Sequence, residues 1–99
     1  MKAKDIAAAT TLESIPNVGP AIAEKLRMLG FRSPNELAGQ DPYEMFIDLC
    51  ERAGGQFDPC LLDVFISAVA FADGKRAKPW WEFTKHRKAE LARRDANSL

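Results

Sequence analysis

The residues best suited to chemistry lie in Ile15-Pro16-Asn17-Val18-Gly19-Pro20. Two prolines, a glycine and an asparagine that tolerates a left-handed backbone make this a turn. Pro20 is placed as a first helical residue, so a second helix starts there. Its first amides lack acceptors and, with the helix dipole, form an anion site. Gly19 has no side chain, so a phosphate can approach its backbone closely. Val18 is expected to point into the core against Leu12 and Leu26. Lys25 and Arg27, further along the helix, would add side-chain contacts.

Other reactive side chains converge less well. Cys60 is expected at the second position of a helix, where the dipole lowers a thiol pKa, although a buried structural cysteine is the commoner case. Cys50 falls on an apolar helical face. With His86 these are the candidate soft metal ligands, but no pair has the spacing of a zinc finger. Asp63 stands on an otherwise apolar helix. It reads as a structural acid, paired to an arginine or serving a cap, or as the exposed edge of that helix. No second carboxylate is spaced to act with it, which disfavours a hydrolase. Trp80 and Trp81 suit either base stacking or a core seal with one ring inside. No enzyme is expected.

These residues must be positioned by short helices. Thr10-Thr11-Leu12-Glu13 reads as a capping box opening a helix over about 11–15. The helix after Pro20 carries Ile22, Ala23, Leu26 and Leu29 on one face and ends at Gly30. Ser33-Pro34-Asn35-Glu36 and Asp41-Pro42-Tyr43-Glu44 each combine a cap, a first-position proline and a glutamate. The first opens a helix to about Gly39. The second opens one to Gly54-Gly55 with Met45, Phe46, Leu49 and Cys50 inward. Asp58-Pro59 starts a helix to about Asp73, apolar almost all round and so expected at the centre. Residues 1–9 are free to fray. An aromatic cluster at 79–83 precedes a basic helix over about 84–95. The fold class is therefore all-α, a compact bundle of five or six short helices in one domain spanning residues 1–99.

The 99 residues carry no net charge, but the distribution is uneven. Residues 1–74 hold six basic and eleven acidic side chains, net −5. Residues 75–94 hold eight basic and two acidic, net +6, and Asp95 restores zero. A basic tail of this kind suits an anionic partner or is simply a solvated helix. Lys85, Arg87 and Lys88 are its candidate contacts. No signal peptide is evident, the longest apolar run falls far short of the ~20 residues a bilayer requires, and the two cysteines read as reduced thiols. A cytoplasmic location is the expectation.

Residues 12–26 resemble the helix-hairpin-helix motif of DNA repair and recombination proteins. The shared pattern is a leucine, a Pro-Gly-Val-Gly turn, then an alanine and a leucine on one helical face. Asn17 stands where many members have the first glycine. The resemblance implies a motif over about 11–30 whose turn amides, around Asn17, Val18, Gly19, Pro20 and Ala21, hold a DNA phosphate. A bound monovalent cation sometimes assists in that family; no other cofactor is implied. A wider resemblance covers residues 15–39, Gln40-Asp41-Pro42-Tyr43-Glu44, Asp58-Pro59-Cys60, Leu62-Asp63-Val64-Phe65 and Pro79-Trp80-Trp81. These are similar to the bacterial pathogenicity-locus, or mitomycin-resistance, proteins, a small helical family whose name implies a link to DNA damage. Such motifs commonly work in pairs, and residues 33–55 are the candidate degenerate partner, without a second glycine hairpin. The leading expectation is sequence-independent DNA binding in damage resistance or repair. The alternative is a small helical module that binds another protein, which the acidic balance of residues 1–74 favours.

Overall fold

The computed structural model describes residues 2–97, with side chains described to Asp95. Proline-led caps divide the chain. Asp41 Oδ1 accepts the Tyr43 amide at 2.9 Å and Asp58 Oδ1 accepts the Cys60 amide at 2.8 Å. Each aspartate satisfies a first-turn donor, and the proline after it needs none. The α-helices are α1 (Pro20–Met28), α2 (Pro42–Ala53), α3 (Pro59–Ala72) and α4 (Thr84–Asn97). Two 3-10 turns, Ile6–Ala8 and Leu12–Ser14, precede α1, and two more, Pro34–Leu37 and Trp80–Phe83, lie before α2 and α4. Described residues form no strand. The radius of gyration is 13.1 Å, matching the ~13 Å of a compact 100-residue chain.

Two segments expected as short helices, around 11–15 and 34–39, are 3-10 turns instead. Pro16 explains the first, because it cannot donate and so ends any helical ladder. The cap also shifts by one residue: Thr11 N–H donates to Ser14 Oγ, which donates back to Thr11 O at 2.6 Å. The second turn, Pro34–Leu37, lies in the stretch expected as a degenerate partner motif. Gly30 (φ 96°) closes α1, with Phe31 N–H on Leu26 O at 3.1 Å, a left-handed helix stop.

α3 is the central helix. Ten of its fourteen residues are buried, and it packs on α2, α4 and the 3-10 turns at Pro34–Leu37 and Trp80–Phe83. Leu12, Ile15, Val18, Ala23, Leu26 and Phe65 are fully buried in the main core. Each larger one contributes about 1.5–3 kcal/mol of transfer free energy. A smaller cluster joins Tyr43, Leu62 and Ile66. Residues 2–9, the described part of the stretch expected to fray, are tied down instead. Asp5 caps Ile6–Ala8, Ala9 is buried, and Ala3 N–H donates to Ser14 O at 2.8 Å.

Candidate functional site

The turn before α1 is anchored from below by Leu12, Ile15 and Val18, three residues apart and all at 0 % exposure. Three-residue hydrogen bonds, Ile15 N to Leu12 O and Val18 N to Ile15 O (both 3.1 Å), carry the chain through it. Asn17 takes the left-handed conformation at φ 72°. Its side chain reaches away from the turn and donates to Lys78 O at 2.7 Å and Ser67 Oγ at 3.3 Å. The turn is thereby tied both to the central helix and to the basic link before the tryptophans. Gly19 has ordinary extended backbone (φ −92°, ψ −177°), and a Cβ built on it meets nothing within 4 Å. Its role is openness, since the backbone conformation there suits any residue.

The donor set differs from the expected one. The Val18 amide is spent on Ile15 O, and Pro20 has no N–H. First-turn amides at Ala21 and Ile22 have no intrahelical acceptor, because the first helical bond is Ala23 N to Gly19 O. The Gly19 amide has no acceptor among the described residues. Gly19, Ala21 and Ile22 are therefore the available backbone donors.

Several charged residues expected beside this turn are otherwise engaged. Arg27 makes a forked pair with Glu13, two contacts of 2.9 Å, and a further one with Glu24 at 3.3 Å. That hydrogen-bonded pairing lowers the Glu13 carboxyl below its ordinary range. Arg87 is 11 % exposed and donates through Nε to the fully buried Asp63 at 2.7 Å. Thr84 Oγ1 donates to the other Asp63 oxygen at 2.7 Å. Asp63 is thus the structural acid, and Arg87 belongs to the core contact set. Lys85 and Lys88 are exposed. Lys25 places its ammonium 5.6 Å from the centre of the Phe57 ring. It lines a cleft with Ile22, Phe57, Cys60 and Trp80.

Sequence reasoning passed over Lys75, Arg76 and Lys78 as contacts. All three are exposed on the segment that Asn17 holds. Their signal was available, as three of the eight basic residues of 75–94 and the three that precede the tryptophans. Trp80 packs on the main core and Trp81 is 61 % exposed, the rings meeting edge to face at 5.7 Å.

α4 is clamped at its far end. Glu90 accepts from Arg93 and Arg94, the Arg94 Nε contact being 2.8 Å. Those bonds, Arg93 first, hold the Glu90 carboxyl down at about 2. Arg94 also bonds Asp41 at 3.1 Å and lies 4.3 Å from the centre of the Tyr43 ring. The Tyr43 hydroxyl is buried without a hydrogen-bond partner among the described residues.

Cys60 departs from expectation. The Asp58 carboxylate beside its thiol pushes the pKa up, and burial adds to this. The cap that starts α3 thus overrides the helix dipole. Both cysteines are half-buried free thiols. Among the described residues no three of His, Cys, Asp and Glu gather as a metal site, and no helix is long and apolar enough to cross a membrane.

Comparison with known proteins follows the same stretch of chain. No solved structure matches. A mitomycin resistance protein, McrB, of Streptomyces lavendulae is 38 % identical over 81 residues, covering 82 % of this chain and 77 % of that protein. The family model described as Pathogenicity locus matches residues 5–89. That span contains the turn, the buried Asp63–Arg87 pair and both tryptophans, and the chain belongs to the Pathogenicity locus (Cdd1) family.

Proposed function

We propose that residues 11–30 act as a helix-hairpin-helix motif and that the protein binds DNA without reading its sequence, in resistance to DNA damage. The observation that carries this reading is the turn itself. Backbone donors at Gly19, Ala21 and Ile22 stand at the positive end of α1, and Gly19 opens on empty space. A phosphate oxygen is the ligand such a group suits. Lys25 on α1 and the exposed Lys78, whose carbonyl Asn17 holds, supply charge near the turn, and Lys75, Arg76, Lys85 and Lys88 are further exposed cations. Backbone and phosphate contacts of this sort position a duplex without specifying bases. The name of the mitomycin resistance relative favours a damage-linked role. In this reading the chain is a single cytoplasmic domain that acts by binding and catalyses nothing.

The deciding experiment is Gly19→Glu in a DNA titration by fluorescence anisotropy, on single and double strands at several salt concentrations. Gly19 has negative φ and free space, so the variant should fold as the wild type does. Affinity should fall at least about tenfold, a loss of ~1.4 kcal/mol, because a carboxylate occupies the phosphate position. Equal binding by the folded variant would remove the turn from the interface. Failure of the wild type to bind any DNA would favour a protein partner, consistent with the net −5 of residues 1–74 and with Met28 and Ile47, each about half exposed.

A further inference from the structure

Three carbonyls of the turn are left without local donors. The Glu13 carbonyl would take the amide of residue 16 in a 3-10 ladder, but Pro16 has none. The Val18 carbonyl precedes the first helical acceptor, Gly19 O. The Ser14 carbonyl is served from outside, by Ala3 N–H at 2.8 Å. Beside it, the Lys2 ammonium donates to Glu13 O at 2.7 Å and also to Val18 O. One cation therefore closes two carbonyls that are five residues apart on the two sides of the turn. A lysine ammonium is a compact point charge with three donors. Backbone carbonyl oxygens that converge in this way also hold free potassium or sodium ions.

We propose that Lys2 is the turn's own cation: its ammonium occupies a carbonyl cradle that would otherwise recruit a monovalent ion from solution. Tethering by Ala3 N–H keeps the charge in place independently of the ion composition. The cradle has the same chemistry for an ammonium and for potassium, so vacating it should expose a site for the free ion. The cation claim stands on the carbonyls alone. Its consequence for DNA, a turn whose grip is indifferent to which monovalent ion is present, rests on the function proposed above.

The test compares the wild type with Lys2→Met in full-length protein whose purification tag, if any, is at the C-terminus. Thermal unfolding is followed in lithium, sodium, potassium and thallium(I) nitrates at equal ionic strength. The wild type should melt at one temperature in all four. Lys2→Met should melt lower in lithium, by about 4–8 °C, and recover at least half of that in potassium or thallium. Broadening of the thallium-205 resonance should appear with Lys2→Met and not with the wild type. A wild type whose melting depends on the ion, or a Lys2→Met that melts unchanged or falls with no recovery in any ion, overturns the proposal. Should Lys2→Met not fold, the wild-type series and Lys2→Gln, read the same way, decide it. DNA titrations in the same salts form a separate arm. Absence of wild-type DNA binding there ends the DNA reading and leaves the melting result to judge the cradle.

Discussion

Replacing Arg87 by methionine should remove a large part of the stability of this fold. Asp63 is at 0 % exposure. Its carboxylate receives Arg87 Nε at 2.7 Å, Thr84 Oγ1 at 2.7 Å and a marginal contact from Arg87 Nη2 at 3.5 Å. Methionine keeps most of the aliphatic stem, so packing loss is small. What remains is a buried carboxylate with one hydroxyl donor. Breaking a buried pair in this way costs about 3–5 kcal/mol, against a total of about 5–15 kcal/mol for a domain of this size. The melting temperature should fall by roughly 15–30 °C. Asp63→Asn should cost less, because Arg87 lies nearer the surface and Thr84 keeps an oxygen acceptor. The double variant Asp63→Asn/Arg87→Met should be more stable than Arg87→Met alone, since the uncompensated charge is gone. Urea unfolding followed by circular dichroism measures all four proteins. A cost below about 1 kcal/mol for Arg87→Met, or a double variant no more stable than Arg87→Met alone, would refute the structural assignment of this pair.

Other consequences can be checked on the same material. Asn17→Ala should cost about 2–3 kcal/mol, from a left-handed alanine and two lost hydrogen bonds, and Asn17→Gly should cost less because the backbone penalty disappears; the reverse order in urea would contradict the turn geometry. The depressed Glu90 carboxyl contributes stability that is present above its ordinary value of 4.5 and lost as pH falls toward about 2. Protection of α4 amides against exchange should decline across that window, and Glu90→Gln should flatten the decline; identical profiles would show that the clamp is not the cause. Reversing the charge of Lys85 and Lys88 together should make the slope of log K against log salt shallower by up to about 1.8 units if both meet phosphate, while an unchanged slope would mark them as solvated surface. Cys60→Ser should leave DNA affinity unchanged, because the Asp58 carboxylate keeps that thiol protonated; a loss beyond about threefold would give Cys60 a role at the turn.

Features set by neighbours in the chain were legible from residue order. Asp41-Pro42 and Asp58-Pro59 cap and start helices within a few residues, and the structure has both caps with their side-chain bonds. The apolar character of residues 59–72, broken only by Asp63 and Ser67, pointed to a central helix, and α3 is buried along most of its length. Asn17 announced the left-handed turn, and its φ of 72° bears that out. A single proline was enough to stop the ladder at Ser14, yet propensity alone suggested a longer helix there.

Tertiary structure decided which charges are free. Arg87 and Asp63 are 24 residues apart, Arg27 and Glu13 14, and Asn17 and Lys78 61. No local periodicity links such positions. The net +6 of residues 75–94 counted eight cations alike. In the fold Arg87, Arg93 and Arg94 are held by Asp63, Glu90 and Asp41, which leaves Lys75, Arg76, Lys78, Lys85 and Lys88 on the exposed surface. Lys2 illustrates the same limit from the other side. In the sequence it is one lysine of an Ala- and Lys-rich stretch, and only the folded turn brings the carbonyls of Glu13 and Val18 to its ammonium. Caps and hydrophobic runs act through the backbone next to them, whereas an ion pair or a carbonyl cradle exists only once distant segments have packed.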